Sequence, residues 1–121
     1  MTKYTGVETL NALKIIDSLI LKCLKIQPKF NKGTSQYTLL KNRIKALEIS
    51  KCILLKDGSD LKFSLEEMEK ALPPIDSIIH KTEKARQKYT LDEQQFKRLT
   101  PLIEAMYIAK SNVIDTIEKR K

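Results

Sequence analysis

The feature that most constrains this chain is an internal repeat. When the sequence is compared with itself at an offset of 59 positions, residues 4–57 align with residues 63–116 without a gap, and 16 of the 54 pairs are identical. The identical pairs are Glu8/Glu67, Ala12/Ala71, Leu13/Leu72, Ile16/Ile75, Asp17/Asp76, Ser18/Ser77, Ile20/Ile79, Lys22/Lys81, Lys25/Lys84, Lys29/Lys88, Gln36/Gln95, Leu40/Leu99, Ile44/Ile103, Ala46/Ala105, Ile49/Ile108 and Lys51/Lys110. A gap-free register of this length indicates one structural unit present twice.

Each copy contains two apolar patterns of helical period separated by a short break, which predicts an αα-hairpin. The chain has only 3 Gly and 4 Pro, lacks Trp and is rich in Leu, Ile, Lys and Glu, a composition that favours helix over strand. One hairpin cannot bury its apolar face alone, whereas two can. We therefore predict one all-α domain over residues 1–121, an antiparallel four-helix bundle built by tandem duplication of a hairpin, with repeats at 4–57 and 63–116.

Capping patterns place the helix boundaries. Thr5-Gly-Val-Glu8 and Ser64-Leu-Glu-Glu67 are equivalent capping boxes, in which a hydroxyl and a carboxylate bind free amides of the first turn. Thr90-Leu-Asp-Glu93 has the same pattern and predicts a third box. The helices are expected near residues 5–26, 34–56, 64–87 and 91–119.

Prolines interrupt the third and fourth predicted helices. Pro73, Pro74 and Pro101 fall inside apolar patterns of helical period, and each proline removes a backbone donor and clashes with the preceding turn. The gap-free register favours kinked helices at these positions. A break of the third helix after Leu72 is the alternative.

Basic side chains are concentrated in the first half. Residues 1–59 contain 11 Lys/Arg and 4 Asp/Glu, whereas residues 60–121 contain 12 and 11, and the whole chain has a net charge of +8. Such an excess attracts anionic partners, although a lysine-rich helix face is more often only solvated. The candidate anion-binding residues are Lys22, Lys25, Lys29, Lys41, Arg43, Lys45, Lys81, Lys84 and Lys88. The sequence lacks a helix-turn-helix pattern, a zinc knuckle and an aromatic platform, so any nucleic-acid binding would depend on backbone phosphates.

An apolar strip distinguishes the first copy from the second. Leu10, Leu21 and Leu24 flank the predicted core face of the first helix, and their equivalents in the second copy are the polar residues Glu69, His80 and Glu83. A strip retained in one copy predicts a protein-interaction surface. Asymmetric packing inside the monomer explains the pattern equally well.

Two Asp-Ser pairs recur at equivalent positions. Asp17 with Ser18 and Asp76 with Ser77 lie at the edge of the predicted core face. They form a candidate pocket between the hairpins that would suit a small two-fold ligand such as a cyclic dinucleotide. Hydrogen-bonded boundary residues are the simpler interpretation.

The residues that catalysis and metal binding require are scarce. His80 is the only histidine, phosphate-binding glycine loops are absent, and the carboxylates cluster at predicted helix N-termini, where capping explains them. We therefore predict no enzyme, no catalytic residue, no metal and no cofactor. Cys23 and Cys52 are expected to be reduced and buried, and without an export signal or membrane span the cytoplasm is the expected location.

The leading functional hypothesis is a non-catalytic intracellular binding protein. Its basic first hairpin would engage an anionic partner, either nucleic acid or a nucleotide-like ligand. The alternative is a small protein-interaction module that docks through the apolar strip, with a protein target or a second copy of the chain as partner. In size, charge and helicity the chain resembles bacteriocin immunity proteins and phage-encoded inhibitors, a likeness that involves no specific motif.

Overall fold

The computed structural model describes residues 4–121. Their secondary structure is entirely helical, as predicted, with four α-helices and no strand. The helices are α1 (Gly6–Ile26), α2 (Ser35–Leu55), α3 (Leu65–Arg86) and α4 (Gln94–Arg120), and short 3₁₀ helices follow α1 at Gln27–Lys29 and precede α3 at Ser59–Lys62. The predicted boundaries are correct to within three residues.

Two of the three predicted capping boxes are confirmed. Thr5 Oγ1 accepts from the backbone N–H of Glu8 at 3.1 Å, and the Glu8 carboxylate accepts from the Thr5 N–H at 3.1 Å. Ser64 and Glu67 form the same reciprocal pair at 3.1 and 2.9 Å. Both hairpins therefore begin with the same local structure.

The third predicted capping box, at Thr90 and Glu93, is only half formed: the Thr90 N–H donates to the Glu93 carboxylate at 3.3 Å, but the Thr90 hydroxyl does not accept from the Glu93 N–H. The Thr90 hydroxyl donates to the Glu93 carboxylate at 3.2 Å, and the Glu93 N–H donates to the Thr90 carbonyl at 3.0 Å. These contacts close a turn, and α4 begins only at Gln94, with Glu93 as its N-cap residue. The hydroxyl that would have capped a first turn is used outside the helix.

Helices α3 and α4 run without interruption through their prolines. Pro73 and Pro74 lie inside Leu65–Arg86, and Pro101 lies inside Gln94–Arg120. The alternative of a break after Leu72 is therefore wrong. Because each proline lacks an N–H, the carbonyl four residues earlier has no intrahelical donor at these points.

The four helices pack in chain order around a common core. Each helix contacts the next, α4 closes the ring against α1, and α2 also contacts α4 across the diagonal. Among the described residues, no Cα atom of α1 comes within 8 Å of one in α3. Helices α2 and α4 therefore contact all three other helices, whereas α1 and α3 each contact two.

The distribution of buried residues follows this arrangement. Helix α1 buries only Ala12, Ile16 and Ile20. Helices α2 and α4 bury more, namely Leu40, Ile44, Ala46, Leu47, Ile49, Ser50, Ile53 and Leu54 in α2 and Ile103, Ala105, Met106, Ile108, Ala109, Val113 and Ile117 in α4. Cys23 and Cys52 are unpaired, but both are only partly buried, so the prediction of buried thiols is wrong.

Arg120 ties the end of α4 to the segment between the hairpins. Its guanidinium donates to the Phe63 carbonyl at 2.6 Å and to the carbonyl and carboxylate of Asp60, each at 3.1 Å. These contacts span most of the second repeat in sequence. They hold the link between the repeats against the last turn of the chain.

Candidate functional site

The structure separates the predicted anion-binding residues into two groups. Lys22, Lys25, Lys29 and Lys41 of the first hairpin are exposed, as are Lys81, Lys84 and Lys88 of the second. Among residues 4–121, none of these seven ammonium groups has a carboxylate within 4.0 Å. Lys45 differs, because its Nζ lies 2.7 Å from Glu67 on α3, and Arg43 differs because its Nε and Nη2 atoms are buried.

The unpaired lysines of the first hairpin belong to a segment that contains no acidic residue. Residues 18–47 carry seven cations, whereas the equivalent residues 77–106 carry six cations and four acids. This segment, which we call the basic tip, comprises the second half of α1, the connection to α2 and the first half of α2. No acidic residue within the segment therefore balances its positive charge.

Apolar side chains lie exposed among these lysines. Leu21 and Leu24 are 59% and 46% exposed, and the other exposed apolar residues of the basic tip are Ile26, Phe30 and Leu39. No side chain from Leu21 to Leu39 is buried. The basic tip is thus cationic, apolar and loosely packed at once.

The predicted apolar strip is exposed but not continuous. Leu10 is 53% exposed, so packing within the monomer does not bury any of the three leucines. Leu10 precedes Leu21 by about three turns of α1, or roughly 16 Å. Leu21 and Leu24 therefore belong to the basic tip, and Leu10 to the opposite half of the helix.

Arg43 occupies an inward-facing position of α2. Its Nε and Nη2 atoms are buried and have no hydrogen-bond partner among the described residues. Burial raises the pKa of the Cys23 thiol on α1, and the charge of Arg43 acts in the opposite direction. The guanidinium therefore lies close enough to α1 for its charge to act on Cys23.

The repeat offset explains why Arg43 is unusual. Its equivalent in the second hairpin is Leu102, which packs against the core. The charge of Arg43 led to the prediction that it lies on the surface with the lysines. Its equivalence to the apolar Leu102 is the sequence signal for a core position that holds a charge in one copy only.

The two aspartates at equivalent positions of the hairpins form matching ion pairs. Asp17 lies 2.8 Å from Lys51, and the equivalent Asp76 lies 2.8 Å from Lys110. A hydrogen bond and the carboxylate charge raise the pKa of both lysines. Each pair joins the two helices of its own hairpin.

The structure does not bring the two Asp-Ser pairs into one cavity. Ser77 lines a groove between α2 and α3, and Ser18 lines a different one in which α1 faces the first part of α4. The aspartates line neither groove. The predicted pocket shared by all four residues is therefore not one of these two grooves.

Two grooves are related by the repeat. The groove between α2 and α3 has a volume of about 650 Å³, and a groove of about 530 Å³ lies between α1 and α4. Nine lining positions correspond at the 59-residue offset, among them Lys45 and Glu104, whose charges are opposite. In the first groove the ammonium group of Lys45 and the backbone N–H of Ser64 lower the pKa of Glu67 to about 2. Both grooves contain both signs of charge, unlike the basic tip.

Metal-binding clusters and membrane-spanning helices are two further features that could indicate a function. No three His, Cys, Asp or Glu side chains among residues 4–121 lie close enough together to hold a metal ion. None of the helices in this part of the chain is long and apolar enough to cross a membrane.

Comparisons with known proteins give no relative from which a role could be transferred. Neither the protein-family models, nor the curated proteins, nor the solved structures that were searched contain a match to the chain. The functional argument therefore depends on the geometry of the chain itself.

Proposed function

We propose that this protein is a non-catalytic binding protein whose basic tip engages an anionic partner, with nucleic acid or a nucleotide-like ligand as the first candidates. One observation carries the proposal. The exposed Lys22, Lys25, Lys29 and Lys41 have no carboxylate within 4.0 Å among the described residues, and the 30 residues around them contain no acid.

Electrostatics explains why this arrangement favours an anion. An acidic neighbour would reduce the local potential and would compete with a ligand for each ammonium group. The basic tip contains no acidic residue, whereas the equivalent part of the second hairpin contains four. Binding to phosphates by these lysines would release counterions and would weaken steeply as the salt concentration rises.

The test neutralises three lysines of the basic tip. Lys22→Gln, Lys25→Gln and Lys41→Gln are combined, and affinity for a single-stranded and a duplex oligonucleotide is measured over a range of salt concentrations. If each lysine contacts a phosphate, the slope of log affinity against log salt falls by about 3. The matched control combines Lys81→Gln, Lys84→Gln and Lys88→Gln on the second hairpin, with the same change in net charge. Equal effects of the two triple variants would contradict the proposal.

A second candidate function is supported by the exposed leucines. Leu21 and Leu24 are about half exposed, whereas Ile16 and Ile20 of the same helix are buried. An immunity or inhibitor protein would use them to dock on a protein target or on a second copy of the chain. Changing both leucines to Glu should abolish such docking or dimerisation without unfolding the monomer, because both already face solvent.

We also infer that the bundle arose by tandem duplication and that α3 and α4 bend at their prolines. The matching capping boxes, ion pairs and grooves support the duplication. The missing donors at Pro73, Pro74 and Pro101 support the bends, because helices bend where the hydrogen-bond ladder is interrupted. The two unpaired cysteines suit the reducing environment of the cytoplasm, which is the location we propose.

A further inference from the structure

Arg43 presents a vacant donor edge. Its Nε–H and Nη2–H point in the same direction, and this edge of a guanidinium binds both oxygens of a carboxylate. Both nitrogens are buried, and neither has a partner among the described residues. Buried N–H groups that lack an acceptor destabilise the fold, and an anion that accepted from both of them would remove this cost.

Arg86 of the second hairpin shows the ordinary alternative. Its Nη1 donates to Thr100 at 3.2 Å, and its guanidinium carbon lies 4.8 Å from the ring centre of Phe96. This cation is therefore engaged by its own hairpin. The Nε and Nη2 atoms of Arg43, which are buried, have no hydrogen bond of this kind among the described residues.

The structure around Arg43 allows access by a local movement. No side chain from Leu21 to Leu39 is buried, so the last turns of α1 and the connection to α2 lose little packing when they shift. Segments with few buried contacts open at low free-energy cost. Because the charge of Arg43 acts on Cys23 of α1, an anion that entered between α1 and α2 at this end would approach the guanidinium.

The surroundings of this entrance indicate the partner. Leu21, Leu24, Ile26 and Phe30 are exposed beside lysines that lack carboxylate partners. An acidic amphipathic helix offers both apolar side chains and carboxylates on flexible stems. A nucleic-acid phosphate is fixed in a bulky backbone and offers nothing to the leucines.

We propose that Arg43 receives a carboxylate from an acidic amphipathic helix of a protein partner that lies across Leu21 and Leu24. This inference rests on the proposed function: it keeps an anionic partner at the basic tip and replaces the nucleic-acid candidates with an acidic helix. The lysines of the basic tip attract the helix, the leucines bind its apolar face, and the edge of Arg43 binds one carboxylate through two hydrogen bonds. Arg43 is the residue that selects this partner over a simple polyanion.

The test uses a synthetic peptide of roughly 20 residues with Leu on one helical face and Glu elsewhere. Two variants are compared, Arg43→Leu and Lys41→Thr. Each introduces the residue found at the equivalent position of the second repeat, and each removes one positive charge from α2, at sites two positions apart. Arg43→Leu should weaken peptide binding at least about tenfold, and the exposed-site control Lys41→Thr less than about threefold. Arg43→Lys keeps the charge but loses the two-donor edge, and should weaken binding nearly as much as Arg43→Leu.

A second measurement follows Arg43 in the unaltered protein. Its Nε–H resonance should shift saturably when the peptide is added, which a purely structural arginine would not show. Similar affinities for Arg43→Leu and Lys41→Thr, or an unmoved resonance, would overturn the role of Arg43. If an oligonucleotide binds and the peptide does not, the acidic partner is wrong and the proposed function stands. If neither binds, both are overturned.

Discussion

Lys51 on α2 contacts Asp17 on α1, with Nζ 2.8 Å from Oδ1, and both residues are identical in the second repeat. The equivalent pair, Lys110 and Asp76, has the same separation of 2.8 Å. Each pair joins the middle of the first helix of its hairpin to the second half of the second helix. Positions related by the 59-residue offset thus match in a contact between helices as well as in the apolar pattern.

These pairs should contribute equally and weakly to stability. Asp17→Asn and Asp76→Asn are each expected to lower the free energy of unfolding by about 0.2–1 kcal/mol, because partly exposed ion pairs are screened by solvent. The double variant should lose the sum, since the sites are far apart. Urea denaturation of the two single variants and the double variant measures this. A much larger effect of one aspartate would show that the two repeats use it differently.

Glu67 should make stability depend on pH in acid. Lys45 and the cap of α3 hold its pKa at about 2, below the ordinary value of 4.5. The stabilising contribution is therefore present above pH 4.5 and is lost as the pH falls towards 2. Melting temperatures measured across this range should fall less steeply for Glu67→Gln than for the unaltered chain. Glu66→Gln is the neighbouring control, and identical profiles for the two variants would contradict the prediction.

Replacing Arg43 should not destabilise the fold. Arg43→Leu removes buried donors that lack partners and installs the residue found at the equivalent position 102. We expect the free energy of unfolding to rise by about 1–3 kcal/mol. The reciprocal Leu102→Arg should lower it by a similar amount or more. Chemical denaturation of both variants tests this, and a strongly destabilised Arg43→Leu would mean that the guanidinium is satisfied in solution.

Arg120 should stabilise the junction between the repeats. Arg120→Ala removes three hydrogen bonds to Asp60 and Phe63 and is expected to cost about 1–3 kcal/mol. Asp60→Asn, which leaves the two carbonyl contacts in place, should cost less. Hydrogen exchange should show the loss of protection concentrated at Ser59–Lys62 and the end of α4. Uniform loss across the bundle would contradict a local role.

Most of the fold could be predicted because its signals are local. Thr5 and Ser64 mark helix starts through contacts with residues three positions away, and the 59-residue offset aligns core positions such as Ile16 and Ile75. The start of α4 was misplaced because the Thr90 hydroxyl donates to Glu93 and does not accept from its backbone. The sequence pattern is the same in both cases, and only the backbone geometry distinguishes them.

The candidate site was less predictable because it depends on contacts between helices. The lysines are exposed, as a helical projection of α1 predicts. The direction of Arg43 was not predicted, because it depends on how deeply α2 sits against its neighbours. The separation of Ser18 from Ser77 likewise follows from the ring order of the helices, which places each serine in a different groove.

The acid-free character of the basic tip also limits how copies of this protein can meet. If the basic tips of two molecules met, their positive charges would face each other, and neither tip contains a carboxylate that could lie between them. Association of tip with tip is therefore electrostatically unfavourable. A homodimer must instead join other faces, such as the flank around Leu10, or place a tip against the mixed-charge grooves. The segment that would attract a foreign anion thus repels the same segment of another copy, and the basic tip stays accessible to that anion.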